Sequence, residues 1–261
     1  MKEITNKNQK VAIVVPHHRN ILSWNEIISL NRCKEVFHDY DVILTYPESM
    51  KKDKFIEFKI FSKFLPLEDK HFASEVAYNN LLIKPMFYKN FLKYEFILIY
   101  QLDTFIFENN LLQWCNSGYD YIGAPWNNKS IWLNNYKKRF PYLSKFMGKV
   151  GNGGLSLRRV KKFYLISIIL YPIGLLWKGK WHEDIFWSWV AKAVIKNFKI
   201  PTEEIALKFS FEQEPKACYE LNNNELPFGC HAWEKFDVNF WSQHLAKYGY
   251  EINFKLNEES K

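Results

Sequence analysis

Residues 96–107 read FILIYQLDTFIF, an apolar stretch that is interrupted by a few polar residues. The apolar flanks predict a buried strand. Within it, Asp103 would be costly to bury unless a cation or hydrogen-bond donors met its carboxylate. A metal ion that bridges a phosphate is one such cation. The stretch therefore predicts a strand that carries Asp103 into a functional site, although a carboxylate that only caps the turn after the strand remains an alternative.

Two further apolar runs, VAIVVP at 11–16 and DVILTYP at 41–47, also predict buried strands. Helical patterns lie between the strands, at 23–33 and at 69–94 with a break near Pro85. Strands that alternate with helices predict an α/β fold with a mostly parallel central sheet flanked by helices. Ligands bind such sheets beyond the carboxyl ends of the strands.

The composition is that of a globular protein, with 48% hydrophobic and 25% charged residues among 261. We expect one domain over 1–261, with 1–10 and 250–261 as peripheral tails. The net charge of +8 favours an anionic partner such as a nucleotide, a nucleic acid or an acidic membrane surface, and a basic face that is only solvated is the alternative. The basic residues are scattered and no nucleic-acid-binding motif is present, so we expect no nucleic-acid partner.

The four cysteines show no CxxC pairing, which argues against a zinc site or a disulfide framework and fits a reducing compartment. The run at 11–15 is too short for a signal peptide, and no stretch reaches the roughly 18 apolar residues of a spanning helix. The uncharged segment 163–177 has basic flanks, so it predicts either a buried helix or a peripheral contact with a membrane interface. We expect a cytoplasmic protein, at the inner face of the membrane if that contact exists.

Five segments recur in one order along the chain: YQLD at 100–103, YDYIGAPW at 119–126, GNGGLSLR at 151–158, EDIFW at 183–187 and FGCHAW at 228–233. Each is weak evidence alone. Together they resemble the GT-A (Rossmann-like) glycosyltransferases, which transfer a sugar from a nucleotide diphosphate. They are most similar to a bacterial family of formerly uncharacterised proteins with YQxD, YDYIGAPW, GNGG, EDxFW and FGxHAW segments. The resemblance extends from about residue 11 to about residue 245.

The resemblance implies a divalent metal, Mn²⁺ or Mg²⁺, bound by Asp103 and His231. Gln101 stands where the superfamily has the first aspartate of its Asp-X-Asp motif, and an amide brings no charge. This departure leaves metal dependence open. A structural role for His231 is the alternative to metal ligation.

The resemblance also implies a catalytic pair. Asp184 would be the base that takes the acceptor's proton in an inverting transfer, and Glu183 would bind sugar hydroxyls; the two roles could be exchanged. Retaining enzymes of this fold need no such base. Carboxylates at a helix N-terminus also have a purely structural explanation.

The remaining implied contacts concern the sugars and the nucleotide. Residues that would bind the donor are Pro16, His17, Arg19, Gln101, Asp103, Asn152, Gly153, Gly154 and Arg158. Three indoles would stack on acceptor or donor sugars: Trp126, Trp181 and Trp233. Most of the ten tryptophans must nevertheless be packing residues.

The sequence thus predicts a glycosyltransferase that moves a sugar from a nucleotide-diphosphate donor to a glycan or lipid-linked glycan acceptor. The alternative is a non-catalytic module that binds a nucleotide or glycan on a degenerate glycosyltransferase fold. Gln101 favours this alternative, whereas the Glu183–Asp184 pair and His231 argue against it.

Overall fold

The computed structural model describes residues 8–126, 138, 150–177 and 182–252. Strands within these residues are β1 (Asn8–Pro16), β2 (Tyr40–Pro47), β3 (Lys63–Leu67), β4 (Phe96–Tyr100), β5 (Thr104–Ile106), β6 (Tyr121–Ile122), β7 (Leu155–Arg159), β8 (Ser210–Phe211) and β9 (Gly229–His231). A six-stranded sheet has the order β3-β2-β1-β4-β7-β6, and a smaller sheet has the order β5-β9-β8. In the large sheet β3, β2, β1 and β4 are parallel, whereas β7 is antiparallel to β4 and β6. The sheet is therefore mixed and mostly parallel, as predicted.

Helices cover both faces of the large sheet, and others, including α10 (Pro215–Leu221) and α11 (Val238–Leu245), pack on the small sheet. They are α1 (Trp24–Val36), α2 (Asp53–Glu57), α3 (Glu75–Leu81), α4 (Pro85–Lys89), α5 (Leu111–Asn116), α6 (Val160–Ile169), α7 (Tyr171–Trp177), α8 (Glu183–Ile185, continued by the π-helical Phe186–Ala191 and by Lys192–Val194), α9 (Glu203–Phe209), α10 (Pro215–Leu221) and α11 (Val238–Leu245). No helix in the described part of the chain is long and apolar enough to cross a membrane.

Strand β1 explains why its sequence is continuously apolar. Val11, Ile13 and Val15 face one core cluster, whereas Ala12 and Val14 face a second cluster on the other side of the sheet. All five side chains are fully buried. A strand that is covered on both faces loses the alternation of polar and apolar residues.

The stretch 96–107 forms two strands instead of the single strand that its sequence predicts. Strand β4 belongs to the large sheet, whereas β5 pairs with β9 in the small one. The turn between them is closed by the Thr104 N–H, which donates to the Gln101 carbonyl at 3.0 Å. The polar residues 101–103 therefore mark the point at which the chain passes from one sheet to the other.

The helical region predicted over 69–94 is divided into three short pieces. A 3-10 turn at Asp69–His71 comes first, and α3 follows, capped by the Ser74 hydroxyl, which accepts the Ala77 N–H at 3.1 Å. Pro85 opens α4, which places the break where the sequence predicts it. The helix predicted at 23–33 is confirmed as α1, which begins after Ser23 in a capping box with Glu26.

Candidate active site

The carboxyl ends of β1 and β4 open into a cleft of about 980 Å³. The structure brings most of the predicted site residues to its walls: Pro16, His17, Arg19, Gln101, Asp103, Trp126, Asn152, Gly153, Gly154, Glu183, Asp184 and His231. Arg158 and Trp233 do not line the cleft, and Trp181 lies outside the described residues.

Strand pairing brings Asp103 and His231 together. In the small sheet Thr104 pairs with His231, so the side chain of Asp103 lies beside the imidazole. His231 Nε2 is 3.0 Å from Asp103 Oδ1 and 3.1 Å from the Gln101 amide oxygen Oε1. Lys235 Nζ contacts the other carboxylate oxygen, Asp103 Oδ2, at 3.2 Å.

The charged forms of Asp103 and His231 stabilise each other. Burial alone would raise the pKa of Asp103, but the positive charges of His231 and Lys235 outweigh it and hold that pKa well below its usual range. Burial alone would lower the pKa of His231, but the Asp103 charge and the Glu212 carboxylate, 3.3 Å from His231 Nδ1, raise that pKa to about 10. The cleft thus contains an ionised carboxylate held between two cations.

Three atoms that could ligate a divalent metal lie together once His231 is deprotonated: His231 Nε2, Asp103 Oδ1 and Gln101 Oε1. Neighbouring ligands in an octahedral site with metal–donor bonds near 2.1 Å are about 3 Å apart. The distances from Nε2 to Asp103 Oδ1 and Gln101 Oε1 have this value, which is also that of hydrogen bonds, so His231 would release its Nε2 proton when an ion binds. Carboxylate, imidazole and amide donors suit Mn²⁺. Among the described residues no cluster of three or more His, Cys, Asp or Glu side chains could hold a metal, so a bound ion would take its other ligands from phosphate or water.

The glycine cluster, formed by Gly151, Gly153 and Gly154, allows two side chains to reach the cleft wall. A Cβ added at Gly154 would lie 1.9 Å from His231 Nε2, and one added at Gly153 would lie 2.2 Å from Glu183 Oε1. Gly154 is held between its neighbours because its N–H donates to Asn152 Oδ1 at 2.9 Å and its carbonyl accepts the Gln101 N–H at 3.0 Å. Glycine is therefore required at 153 and 154, because Glu183 and His231 lie where a side chain would be.

Gly154→Ala is expected to destabilise the protein by about 1–3 kcal/mol, because the new methyl group must displace the His231 ring. Gly174→Ala is the matched control. Gly174 lies within α7 with its nearest neighbour, Ile83 Cδ1, 3.5 Å from an added Cβ, so that variant should be neutral or stabilised. Urea denaturation of both variants measures the difference. Equal midpoints would show that the His231 ring moves without cost.

Arg158 supports the site from behind. Its side chain is fully buried, and Nη2 donates to Glu183 Oε1 at 2.7 Å while Nη1 donates to the Tyr88 hydroxyl at 3.0 Å. Alternation along β7 places Arg158 on the same face as Ser156, underneath α8, whereas Leu157 faces the opposite core. The structure therefore places Arg158 behind Glu183 and away from the space where a diphosphate would bind.

Asp184 lies at the N-terminus of α8 and faces the cleft. The Asn79 amide oxygen accepts the Glu183 N–H at 3.1 Å and fixes this end of the helix. Burial, and next the neighbouring negative charge of Glu183, raise the pKa of Asp184 well above its ordinary value. A carboxylate with a raised pKa in a cleft is suited to accept a proton.

The end of β1 forms another part of the wall, next to Pro16. His17 is buried there, and burial lowers its pKa to about 4, so its imidazole is neutral near pH 7. Arg19 is exposed and donates to Glu26 Oε1 at 2.6 Å. This part of the cleft therefore combines a neutral ring with one exposed guanidinium.

The tryptophans differ in their positions. Trp126 lines the cleft with little exposed surface and meets Trp189 edge-on at 6.0 Å between ring centroids. Trp233 is fully buried and packs edge-on against Trp24 at 5.6 Å. Its ring offers no face to a sugar, because Trp233 belongs to a third core cluster, which packs around the small sheet and includes Phe105 and Trp241.

Comparison with known proteins adds the family. Residues 61–231, more than half of the chain, match the family described as "Protein of unknown function (DUF5672)". The chain belongs to this family. The match to DUF5672 includes the β4–β5 turn, the glycine cluster, α8 and His231, but not β1. A comparison with curated proteins found no match.

Solved structures with a similar fold are glycosyltransferases. One is core-mannan synthase A (CmsA/Ktr4) from Aspergillus fumigatus in its Mn/GDP form, with a TM-score of 0.51 at 10% identity over 76% of this chain and 73% of that chain. Another is the bifunctional glycosyltransferase WbbM, with a TM-score of 0.51 at 11% identity over 88% of this chain and 46% of that chain. This DUF5672 chain thus spans under half of WbbM. At such identity the likeness shows the fold, and the expected GT-A fold is confirmed.

Several residues of the DUF5672 chain line the cleft without having been predicted from the sequence: Glu212, Glu234 and Lys235. Glu212 directly follows β8, which pairs with β9 and so faces His231. Burial, and next the Asp103 charge, raise the pKa of Glu234 to about 7. Their only signal in the sequence is proximity to the end of a short strand or to the FGCHAW segment.

Proposed function

We propose that this protein is a glycosyltransferase that transfers a sugar from a nucleotide-diphosphate donor to a glycan or lipid-linked glycan. The observation that supports this most is the convergence, in one cleft of a GT-A fold, of the Asp103–His231 pair with Asp184. The cleft volume of about 980 Å³ is that of a site for a ligand of nucleotide-sugar size.

The donor's diphosphate would bind at the Asp103–His231 pair. We propose that both side chains, with Gln101, hold Mn²⁺ or Mg²⁺, whose charge stabilises the departing diphosphate. Asn152 and the backbone of Gly153 and Gly154 would contact the sugar or phosphates. The similar fold of core-mannan synthase A, whose structure is an Mn/GDP form, supports this arrangement.

The nucleoside end of the donor would lie against the end of β1. Pro16 and His17 would meet the base, and Arg19 the ribose or a phosphate, because these residues line the same cleft. A neutral His17 imidazole could donate or accept a hydrogen bond with the nucleobase without bringing a charge.

The acceptor's hydroxyl would lose its proton to Asp184 as it attacks the anomeric carbon, which gives an inverting transfer. Glu183 would assist, since its Oε2 has no hydrogen-bond partner among the described residues while Oε1 is held by Arg158. We propose that the indole of Trp126, which lines the cleft, contacts a sugar there.

A non-catalytic binding module is the second candidate. The observation that favours it is the set of cations around Asp103: Lys235 and His231 already neutralise its carboxylate, and Gln101 adds no charge to attract a metal. Such a module would bind a nucleotide sugar without hydrolysing or transferring it.

A donor screen by thermal unfolding tests the proposal. One nucleotide class among UDP-, GDP-, CMP- and TDP-sugars, given with Mn²⁺ at about a hundred times its dissociation constant, is expected to stabilise the protein by about 2.7 kcal/mol. For a chain of this size that corresponds to a rise in melting temperature of about 5–10 °C. Asp103→Ala should abolish the rise, and Asp39→Ala, at an exposed carboxylate elsewhere, should retain it.

The outcomes separate the candidates. A rise that survives both removal of Mn²⁺ and Asp103→Ala would disprove the metal assignment. Binding without hydrolysis of the donor and without transfer to any glycan would favour the binding module. No rise with any donor would contradict both.

A further inference from the structure

Helices α6 and α7 have an apolar outer surface. Their inner side chains, such as Phe163 and Ile166, are buried in the second core cluster. Large apolar side chains are also exposed on the outside: Leu165 by 56%, Ile168 by 46%, Ile169 by 62%, Tyr171 by 45% and Ile173 by 37%. A helix that covers a core normally carries polar residues on its outer face, so these two helices depart from that pattern.

The exposed residues form a continuous stripe. Leu165, Ile168 and Ile169 are spaced by three and four positions, so they share one face of α6. Tyr171 and Ile173 continue it directly into α7. Single exposed apolar residues are ordinary on protein surfaces, but a contiguous apolar stripe marks an interaction surface.

Basic residues adjoin the stripe at the start of α6. Lys161 is exposed and Lys162 partly exposed at the start of α6, and neither forms an ion pair with a described residue. Residues 160–177 contain no Asp or Glu. Helix α4 packs on α6 through Tyr88 and Phe163, with 5.2 Å between ring centroids, and it carries the exposed Lys89 next to Tyr88.

We propose that this α6–α7 face, formed by Leu165, Ile168, Ile169, Tyr171 and Ile173 with Lys161 and Lys162, docks on an anionic phospholipid bilayer. The apolar stripe would enter the boundary between headgroups and acyl chains, and the lysines would bind lipid phosphates. Charge argues against a second copy of the chain. In a two-fold dimer the patch would meet itself, and it offers no carboxylate to its own lysines.

The face lies near the cleft. Leu82 lines the cleft, and the next residue, Ile83, packs against Gly174 of α7. A bilayer on this face would therefore be separated from the cleft wall by α7 and the chain at Leu82 and Ile83.

Co-sedimentation with vesicles tests the docking without any need for activity. The full chain is expected to bind vesicles that contain phosphatidylglycerol in phosphatidylcholine and to bind pure phosphatidylcholine far more weakly. Leu165→Ser/Ile169→Ser should weaken binding at least tenfold, because each removes a large apolar group from the contact. Lys161→Glu/Lys162→Glu should remove the preference for anionic vesicles.

Leu221→Ser is the matched control, since Leu221 is 72% exposed on α10, away from this face. It should bind vesicles as the unchanged protein does, and thermal unfolding should show that all variants are folded. The proposal is overturned if the unchanged protein stays in solution with anionic vesicles, or if Leu221→Ser weakens binding equally. It is also overturned if sedimentation shows a dimer that Leu165→Ser/Ile169→Ser converts to a monomer, because the face then joins two copies.

Discussion

Asp184→Asn is expected to lower kcat for sugar transfer by about a thousandfold, within the 10²–10⁴ range of general-base catalysis. Asparagine keeps the shape of the side chain but cannot take the acceptor's proton. Donor binding should be unchanged, since Asp184 lies at the start of α8 and the proposed diphosphate site at Asp103 lies at the β4–β5 turn. Steady-state kinetics with a donor identified by the thermal screen measure both quantities.

The pH dependence of the same variant adds a second readout. Burial and the charge of Glu183 raise the pKa of Asp184, and a base must be deprotonated to act, so transfer should increase with pH through that raised pKa. The increase should be absent from the residual activity of Asp184→Asn. Glu75→Gln, which changes an exposed carboxylate at the cleft rim, should keep both kcat and the pH profile.

Stability should change in the opposite sense to activity. A carboxyl group with a raised pKa in the folded state binds its proton more tightly there than in the unfolded chain. Its contribution to stability therefore falls as pH rises from the unfolded pKa through the folded one. Near pH 7 the neutral side chain of Asp184→Asn does not have to bury a negative charge on folding, so this variant should unfold at a higher temperature than the unchanged protein.

Full activity in Asp184→Asn would exclude this residue as the base and favour a retaining mechanism.

The sequence was sufficient to predict the central sheet, because β1, β2 and β4 are mainly apolar runs of strand length, which are typical of a sheet covered on both faces. It was not sufficient to predict the path of 96–107. Both halves of that stretch are apolar, and the choice of a second sheet depends on pairing between Thr104 and His231, which are far apart in sequence. Local patterns carry no information about such a partner.

In the candidate site, too, the sequence predicted some residues and not others. Asp103, Gly154 and His231 stand in motifs and were predicted to belong to one site, and the structure brings them within contact of one another. Arg158 also stands in a motif, but the direction of its side chain depends on what α8 places over β7. Lys235 reaches Asp103 only through the fold, so composition and spacing could not identify it.

The buried pair of Arg158 and Glu183 gives the largest expected effect on stability. Both side chains are almost completely inaccessible to solvent. Arg158→Met removes the cation and leaves Glu183 as an uncompensated charge in the interior. Breaking a buried pair in this way costs about 3–5 kcal/mol. For a chain of this size we expect the melting temperature to fall by about 10 °C.

Arg159→Met is the matched control, because it changes the next residue of the same strand. Arg159 pairs with the exposed Glu95 and with the buried Asp120, but its own side chain is partly exposed. Asp120 also keeps the hydrogen bond from the Lys199 N–H at 3.0 Å, so we expect Arg159→Met to destabilise the protein less than Arg158→Met does. Urea denaturation should therefore give a much lower midpoint for Arg158→Met than for Arg159→Met. Adding Glu183→Gln to Arg158→Met should restore part of the loss, since the unpaired charge is then gone. Similar midpoints for the two single variants, or no recovery in the double variant, would show that Arg158 fills space without holding Glu183 in place.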